Sequence, residues 1–354
     1  MSDPGTPLRV LVVDDSAVVR QVLAAILGQG GRMVVATADS AAAASECLRQ
    51  DVYDVLVLDI EMPGVDGLTF LHALMRERPM PVVVCSGHVR EHSTLALEAL
   101  ALGAVEVLAK PRLGSRAENR DLVTQLADTV RAAARARMRG GAVRSAARHR
   151  APGAAGRTVA ITPRARVSVV AIGASTGGTD AIRQVLHALP PDAPPIAIVQ
   201  HMPEGFTAAF ARDLDRNSRI TVREATHEEP LRRGLALIAP GNRHLMIARR
   251  GADLVAELHA GPLVSRHRPS VDVLFGSVGR LGTTSIGVLL TGMGDDGAAG
   301  LRAMREAGAL TLAQDEASCV VFGMPAAAIT RGAVMHVMPL RDIAAAIQQA
   351  DTRA

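Results

Sequence analysis

The chain has 354 residues, a formal net charge of +4 and only 2% aromatic residues, which leaves room for two domains and a linker. So few rings argue against single-strand nucleic-acid binding by base stacking, and the modest positive charge does not by itself call for a nucleic-acid partner. No apolar run is long enough to span a bilayer, MSDPGTPLRV has no signal-peptide character, and Cys47, Cys85 and Cys319 are too widely spaced for a disulfide or zinc framework. A cytoplasmic protein with reduced cysteines and no membrane insertion is expected.

Residues 7–128 alternate apolar strands with helical patterns. Predicted strands are Arg9–Val13, Met33–Ala38, Val55–Leu58, Pro81–Cys85 and Val105–Leu108. Predicted helices are Ser16–Leu27, Ala41–Gln50, Leu68–Arg78, Thr94–Leu102 and a last one from Asp121 onward. Five strands alternating with five helices point to a doubly wound, flavodoxin-like α/β domain, whose ligands lie beyond the carboxyl ends of its strands. Polar residues collect at those ends: Asp14 and Asp15, Asp59, Ser86 and Lys110. Lys110 is also the one lysine in a chain otherwise using only arginine, which suggests a need for a compact ammonium rather than a planar fork. Clustered carboxylates suit a hard cation such as Mg2+, and a carboxylate can also accept a phosphoryl group as nucleophile. Singly, each has a plainer reading: Asp14 or Asp15 as a helix cap, Asp59 as a loop acid, Ser86 as a turn residue. Together they read as a site.

The segments VLVVDDSAVVR, VLVLDIEMPGVDGLTFL, CSG and AKP resemble the receiver domain of two-component response regulators. The resemblance implies Asp59 as phospho-acceptor, Asp14 and Asp15 as Mg2+-binding acids with Asp59, Ser86 as the hydroxyl that senses the phosphoryl group, and Lys110 as its ammonium partner. It also implies a cis bond between Lys110 and Pro111. One departure stands out: Val107 occupies the place of the usual aromatic switch residue.

Residues 129–166 are rich in Ala, Arg and Gly. The first part can extend the preceding helix, and Gly140–Gly141 and Pro152–Gly153 mark flexible tether. A basic patch for nucleic acid or anionic lipid is the alternative, disfavoured because no aromatic residues or heptads accompany the arginines.

Residues 167–349 alternate again, as a second doubly wound α/β domain with mostly parallel strands. Its first strand, Val167–Ile172, runs into a G-x-S-x-G turn presenting Ser175 after VSVVAIGA, and Ile182, Val185, Leu186 and Leu189 continue as a helical stripe. Further strands are expected at 196–199, near 235–239 and 245–248, at 286–290 and 310–313. Helices are expected at 180–189, about 205–215, 270–281, 298–307 and from 340. His201 follows IAIVQ, and Asp295–Asp296 follow IGVLLTGMG, so Ser, His and Asp each sit just past a buried strand. These are the residue types of an acyl-transfer triad: the hydroxyl attacks, the imidazole moves its proton, and the acid orients the imidazole. Glycine turns offer backbone donors to an oxyanion. Thr179 and Asp180 are the expected caps of the helix after Ser175. His227, His244 and His267 compete with His201, but none follows so clean a strand. A phosphate loop is the rival for GASTGG, yet it fits neither glycine-rich nucleotide motif. The order Ser…His…Asp also differs from that of α/β-hydrolases. Spacing alone does not choose between Asp295 and Asp296.

GASTGG, VQHMP, LTGMGDDGAAGL and QDEASCVVFGMP are similar to the catalytic domain of chemotaxis protein-glutamate methylesterases. That resemblance implies Ser175 as nucleophile, His201 as general base and acid, Asp296 as the orienting carboxylate, and Thr176 and Met293 beside the site, Met293 as a backbone donor. It further implies hydrolysis of glutamate γ-methyl esters on the cytoplasmic part of methyl-accepting chemoreceptors, a slower deamidation of receptor glutamine, and a chemotaxis histidine kinase as phosphodonor. No metal is expected in the second domain. An unphosphorylated receiver would restrict the esterase site, and phosphorylation of Asp59 would relieve the restriction.

Overall fold

The β-branched runs of the first hundred residues become a buried parallel sheet because helices cover both its faces. In a computed structural model the described residues are 6–29, 31–62, 66–87, 93–110, 116–136 and 166–351. The chain forms two compact units, Met1–Val143 and Arg144–Ala354. In the first, β1 (Leu8–Val13), α1 (Ala17–Gly28), β2 (Met33–Ala38), α2 (Ala41–Gln50), β3 (Val55–Leu58) and α3 (Gly67–Glu77) are followed by β4 (Val82–Ser86), α4 (Ser93–Ala101), β5 (Glu106–Ala109) and α5 (Arg116–Ala134). The sheet order is β2-β1-β3-β4-β5, and every pairing is parallel. Helix starts follow side-chain chemistry: Ser16, Ser40 and Asp66 accept from the backbone N–H three residues on, satisfying first-turn donors. The strand order reverses at β1/β3, and Asp14 and Asp59 leave the sheet there, as expected of a doubly wound fold.

The second unit runs β6 (Val169–Ala174), α6 (Gly178–His187), β7 (Ile196–Gln200), α7 (Thr207–Arg216), β8 (Thr221–Glu224), β9 (Glu229–Pro230), β10 (Leu235–Ile238), β11 (His244–Arg250) and β12 (Asp253–His259). It continues through α8 (Val271–Gly279), β13 (Ser285–Leu289), α9 (Ala298–Glu306), β14 (Leu310–Gln314), α10 (Met324–Thr330), β15 (His336–Met338) and α11 (Leu340–Ala350). Its main sheet is parallel throughout, in the order β15-β14-β13-β6-β7-β10-β8. β6 leads to one side through β7, and the chain later returns to build β13–β15 on the other. The switch point therefore lies at β6/β13. A small antiparallel sheet, β11-β12-β9, sits apart from it.

The long apolar strands lie where the sequence patterns place them, with ends shifted by one or two residues. Five short or amphipathic elements are absent from the sequence reading: β8, β9, β12, α10 and β15. Among the described residues β12 pairs only with β11 and β9 and exposes part of its length, so its pattern is diluted by surface residues. The cap of α6 also differs from expectation. Gly177 is the N-cap at φ 75 with no side-chain cap, because a Cβ there would sit 2.5 Å from Val320 Cβ. Thr179 and Asp180 lie inside the helix instead. Of the expected linker at 129–166, α5 takes the first residues to Ala134, while 137–165, and Pro111 with its expected cis bond, lie outside the described residues. No helix among the described residues is long and apolar enough to cross a membrane.

Candidate active site

Three adjacent strands deliver the candidate residues to one edge. β6 and β7 pair in register with Ala174 opposite Gln200, so the next residue of each strand, Ser175 and His201, emerges beside its neighbour. His201 N–H donates to Ala174 O at 3.1 Å. On the other flank Ser175 N–H donates to Thr291 O at 3.0 Å, which draws the 291–296 loop against the turn. Gly292 is needed there, since a Cβ would lie 2.8 Å from Ser175 Cβ and 2.3 Å from Met324 Sδ. Ser175, Thr176, His201 and Asp296 are all buried.

His201 Nε2 lies 2.8 Å from Asp296 Oδ2. Asp296 also accepts from Ser270 Oγ at 2.7 Å, Val271 N–H at 2.8 Å and Asp272 N–H at 3.0 Å. The last two are N-terminal donors of α8, where a carboxylate is favoured. Burial would raise this carboxyl, but the hydrogen bond and charge of His201, then the Asp272 N–H and Ser270 hydroxyl, outweigh it and hold the group at about 2. Asp295 has a different fate: it is exposed and paired with Arg331. With Nε2 on Asp296, His201 Nδ1 is left buried and without a partner. No hydrogen bond joins Ser175 Oγ to His201 among the described residues. Nδ1 is thus the nitrogen available to a hydroxyl, the reverse of the usual triad, in which Nδ1 faces the acid. Thr176 and Met293 flank the turn, and neither N–H donates to a protein acceptor among the described hydrogen bonds.

Two more residues join this edge: Gln200, which the sequence reading did not single out, and His267, weighed there only as a competitor of His201. Gln200, fully buried at the end of an otherwise apolar strand, donates from Nε2 to Ser175 O at 2.9 Å and His201 O at 3.2 Å. A polar residue closing IAIVQ was the available signal. His267 stacks on His201, though in sequence it follows no strand. Of the other histidines, His227 is exposed and accepts from Leu258 N–H, and His244 clamps Pro262 O and Ser270 N–H.

In the first unit Asp14, Asp15 and Asp59 can each offer an oxygen within 4.8 Å of the others. An oxygen-only set of this kind fits a hard divalent cation such as Mg2+. Lys110 Nζ reaches Asp14 Oδ2 at 2.7 Å and Asp59 Oδ2 at 2.6 Å. Burial raises Asp59 even against the Lys110 hydrogen bond, and Lys110 is itself raised: burial lowers it, but its bonds to the two carboxylates prevail. Ser86 Oγ donates to Glu61 Oε1 at 3.0 Å. Val107 is buried in β5.

The sequence pattern of the CheB methylesterase family matches residues 170–347, and that of the response regulator receiver domain matches 10–119. The chain is 50% identical over 345 residues to protein-glutamate methylesterase/protein-glutamine glutaminase 3 of Geobacter metallireducens, covering 95% of this chain and 97% of that one. It is 52% identical over 343 residues to protein-glutamate methylesterase/protein-glutamine glutaminase 1 of Anaeromyxobacter dehalogenans, covering 96% and 98%. The crystal structure of the Thermotoga maritima CheB methylesterase catalytic domain is similar at a TM-score of 0.50 and 36% identity, over 51% of this chain and 98% of that one. Two sheet-edge sites in two α/β units, matched along nearly the whole chain by these relatives, place it: the chain belongs to the CheB methylesterase family and carries a response regulator receiver domain ahead of its methylesterase domain.

Proposed function

We propose that the chain hydrolyses glutamate γ-methyl esters of chemoreceptors, and deamidates receptor glutamines, through an acyl-enzyme on Ser175, under control of phosphorylation at Asp59. The observation that carries the reading is the buried 2.8 Å contact of His201 with Asp296, one strand register away from the Ser175 turn. Ser175 Oγ attacks the ester carbonyl and His201 Nδ1 takes its proton. Asp296 keeps Nε2 protonated and steadies the charge that forms on the ring. The free N–H groups of Thr176 and Met293 are the donors for the developing oxyanion. His201 then protonates the departing methoxide, and a water activated by the same nitrogen releases glutamate. The amide reaction follows the same course with a poorer leaving group and is slower.

In the receiver, Asp59 accepts the phosphoryl group from a chemotaxis histidine kinase. Asp14, Asp15 and Asp59 would hold Mg2+, which supplies charge neutralisation at the transferring group when bound. Lys110 pairs with the phosphoryl oxygens, and Ser86 leaves Glu61 to meet them. A chemoreceptor substrate and a kinase partner are expectations of the family, and both fit a cytoplasmic location. The deciding experiment is methanol release from methylated receptor by the full chain, with and without a phosphodonor. Ser175→Ala releasing methanol at the parent rate would overturn the reading.

A further inference from the structure

In sequence His267 follows no strand of the main sheet, yet its ring stacks on that of His201 at the sheet edge. The centroids of His201 and His267 are 3.6 Å apart and their planes differ by 9°. Two neutral rings gain least from so flat an overlap and prefer offset or edge-on arrangements. The overlap becomes favourable when one ring carries positive charge and the other presents its π face. The geometry therefore suits the charged form of His201 better than the neutral form.

The turn is built to hold that ring in place. Val264 and His267 exchange both backbone hydrogen bonds, at 3.1 and 2.9 Å. Between them Ser265 and Arg266 both lie in the left-handed region, at φ 51 and 67, a cost for non-glycine residues that the surroundings must sustain. Those surroundings are specific. Arg268 donates to Asn242 Oδ1 from Nε at 3.0 Å and Nη2 at 2.6 Å, and to Gly261 O at 2.6 Å. His244 pins both ends of the turn, through Pro262 O at 2.8 Å and Ser270 N–H at 3.2 Å. Among the described residues no hydrogen bond engages the His267 ring, and its ring contact is the stack on His201.

We propose that His267 is a positioning residue of the esterase site, whose neutral ring fixes the plane of His201 and stabilises the imidazolium formed when His201 takes the Ser175 proton. The inference rests on the reading of Ser175 and His201 as nucleophile and base. In that step the Oγ–H bond breaks as the Oγ–C bond forms, the proton goes to Nδ1, and the carbonyl π pair moves to oxygen. The charge then resides on the ring that His267 covers. His267 must stay neutral to act in this way, since two facing imidazoliums would repel. The charged and titratable groups acting on it are His201, Asp296 and Arg266; burial first, then His201, hold it down at about 3, while Asp296 pulls the other way.

The test compares His267→Phe, His267→Leu and His267→Ala in the full chain, each checked for folding by its melting curve. Phe keeps a flat π face, Leu keeps only bulk. Phe is expected to retain kcat within roughly 3-fold, and Leu to lose roughly 10-fold in kcat with KM little changed. In Leu the acid limb of the pH profile should also move to lower pH, because the imidazolium is less stabilised. Leu matching Phe in both kcat and pH profile would reduce the stack to space-filling and overturn the proposal. Ala matching the parent would do the same. The His201 ring titration, followed by NMR, reads the stack without turnover: its midpoint should fall in Leu and hold in Phe. If the parent releases no methanol, the esterase reading fails; an NMR midpoint equal in Leu and Phe instead sinks the stacking inference.

Discussion

Asp59 and Asp296 are both buried carboxylates at the carboxyl edge of a parallel sheet, and the fold treats them in opposite ways. Among the described residues Asp59 has an ammonium at 2.6 Å and one backbone donor, Glu61 N–H at 3.0 Å, yet burial wins and its carboxyl is raised. Asp296 has no fixed cation, only His201, a hydroxyl and two N-terminal N–H groups of α8, and is held at about 2. The difference lies in the number of donors aimed at each carboxylate, to which the charge of His201 adds at Asp296. A carboxylate left short of donors, next to two more acids, suits a hard cation and, on the proposed reading, a phosphoryl group. One fully supplied with donors stays ionised unaided and can orient a histidine.

The largest expected effect comes at the second site. Ser175→Ala should cut methanol release by at least about 10³-fold, equivalent to ~4 kcal/mol of barrier, with melting little changed. Asp296→Asn should cost about 10²–10³-fold in kcat and lower the melting temperature too, since an amide satisfies fewer of the four donors. Asp295→Asn removes only an exposed pair with Arg331 and should change both readouts little. Equal effects of the two substitutions would erase the distinction between the two acids. On the receiver side, Asp59→Asn should abolish stimulation by a phosphodonor while leaving the basal esterase rate in place, as stopped assays with and without phosphodonor would show.

Mg2+ sharpens the same contrast. At one hundred times its Kd it should stabilise the receiver by ~2.7 kcal/mol, read as a shift of one transition in a calorimetric scan. Asp14→Asn should remove that shift, and the methylesterase transition should not respond. The smallest effect at neutral pH is the proton linkage of the second unit. The folded His267 titrates at about 3 against an unperturbed 6.5. The unfolded chain therefore binds a proton that the folded chain refuses between those values, and stability falls as pH drops through that window. Denaturant melts from pH 7 to 4 should show this slope, flattened in His267→Phe. Asp296 acts lower still: its contribution is present above the ordinary carboxylate value and is lost as pH falls toward about 2.

Much of this molecule is legible in one dimension because parallel strands buried on both faces are continuous apolar runs. VLVV, VLVL, VVAIGA and IAIVQ mark their own strands, and the residue after each run marks the sheet edge. Those rules place Asp59, Ser175 and His201 without any coordinates. Short edge strands and the antiparallel β12 escape them, since half their residues face water. What only the tertiary structure decided is partnership. Asp296, which the family resemblance implies but spacing leaves open, turns inward rather than Asp295 because α8, from a segment some twenty-five residues earlier, aims its first N–H groups at it. Nδ1 rather than Nε2 of His201 is left for the hydroxyl because that carboxylate takes the other nitrogen. His267 reaches His201 through a turn held by Asn242, Gly261 and His244, contacts between segments whose spacing carries no periodic signal. Strand burial is a local pattern of hydrophobicity, whereas the direction of a hydrogen bond depends on how distant segments pack.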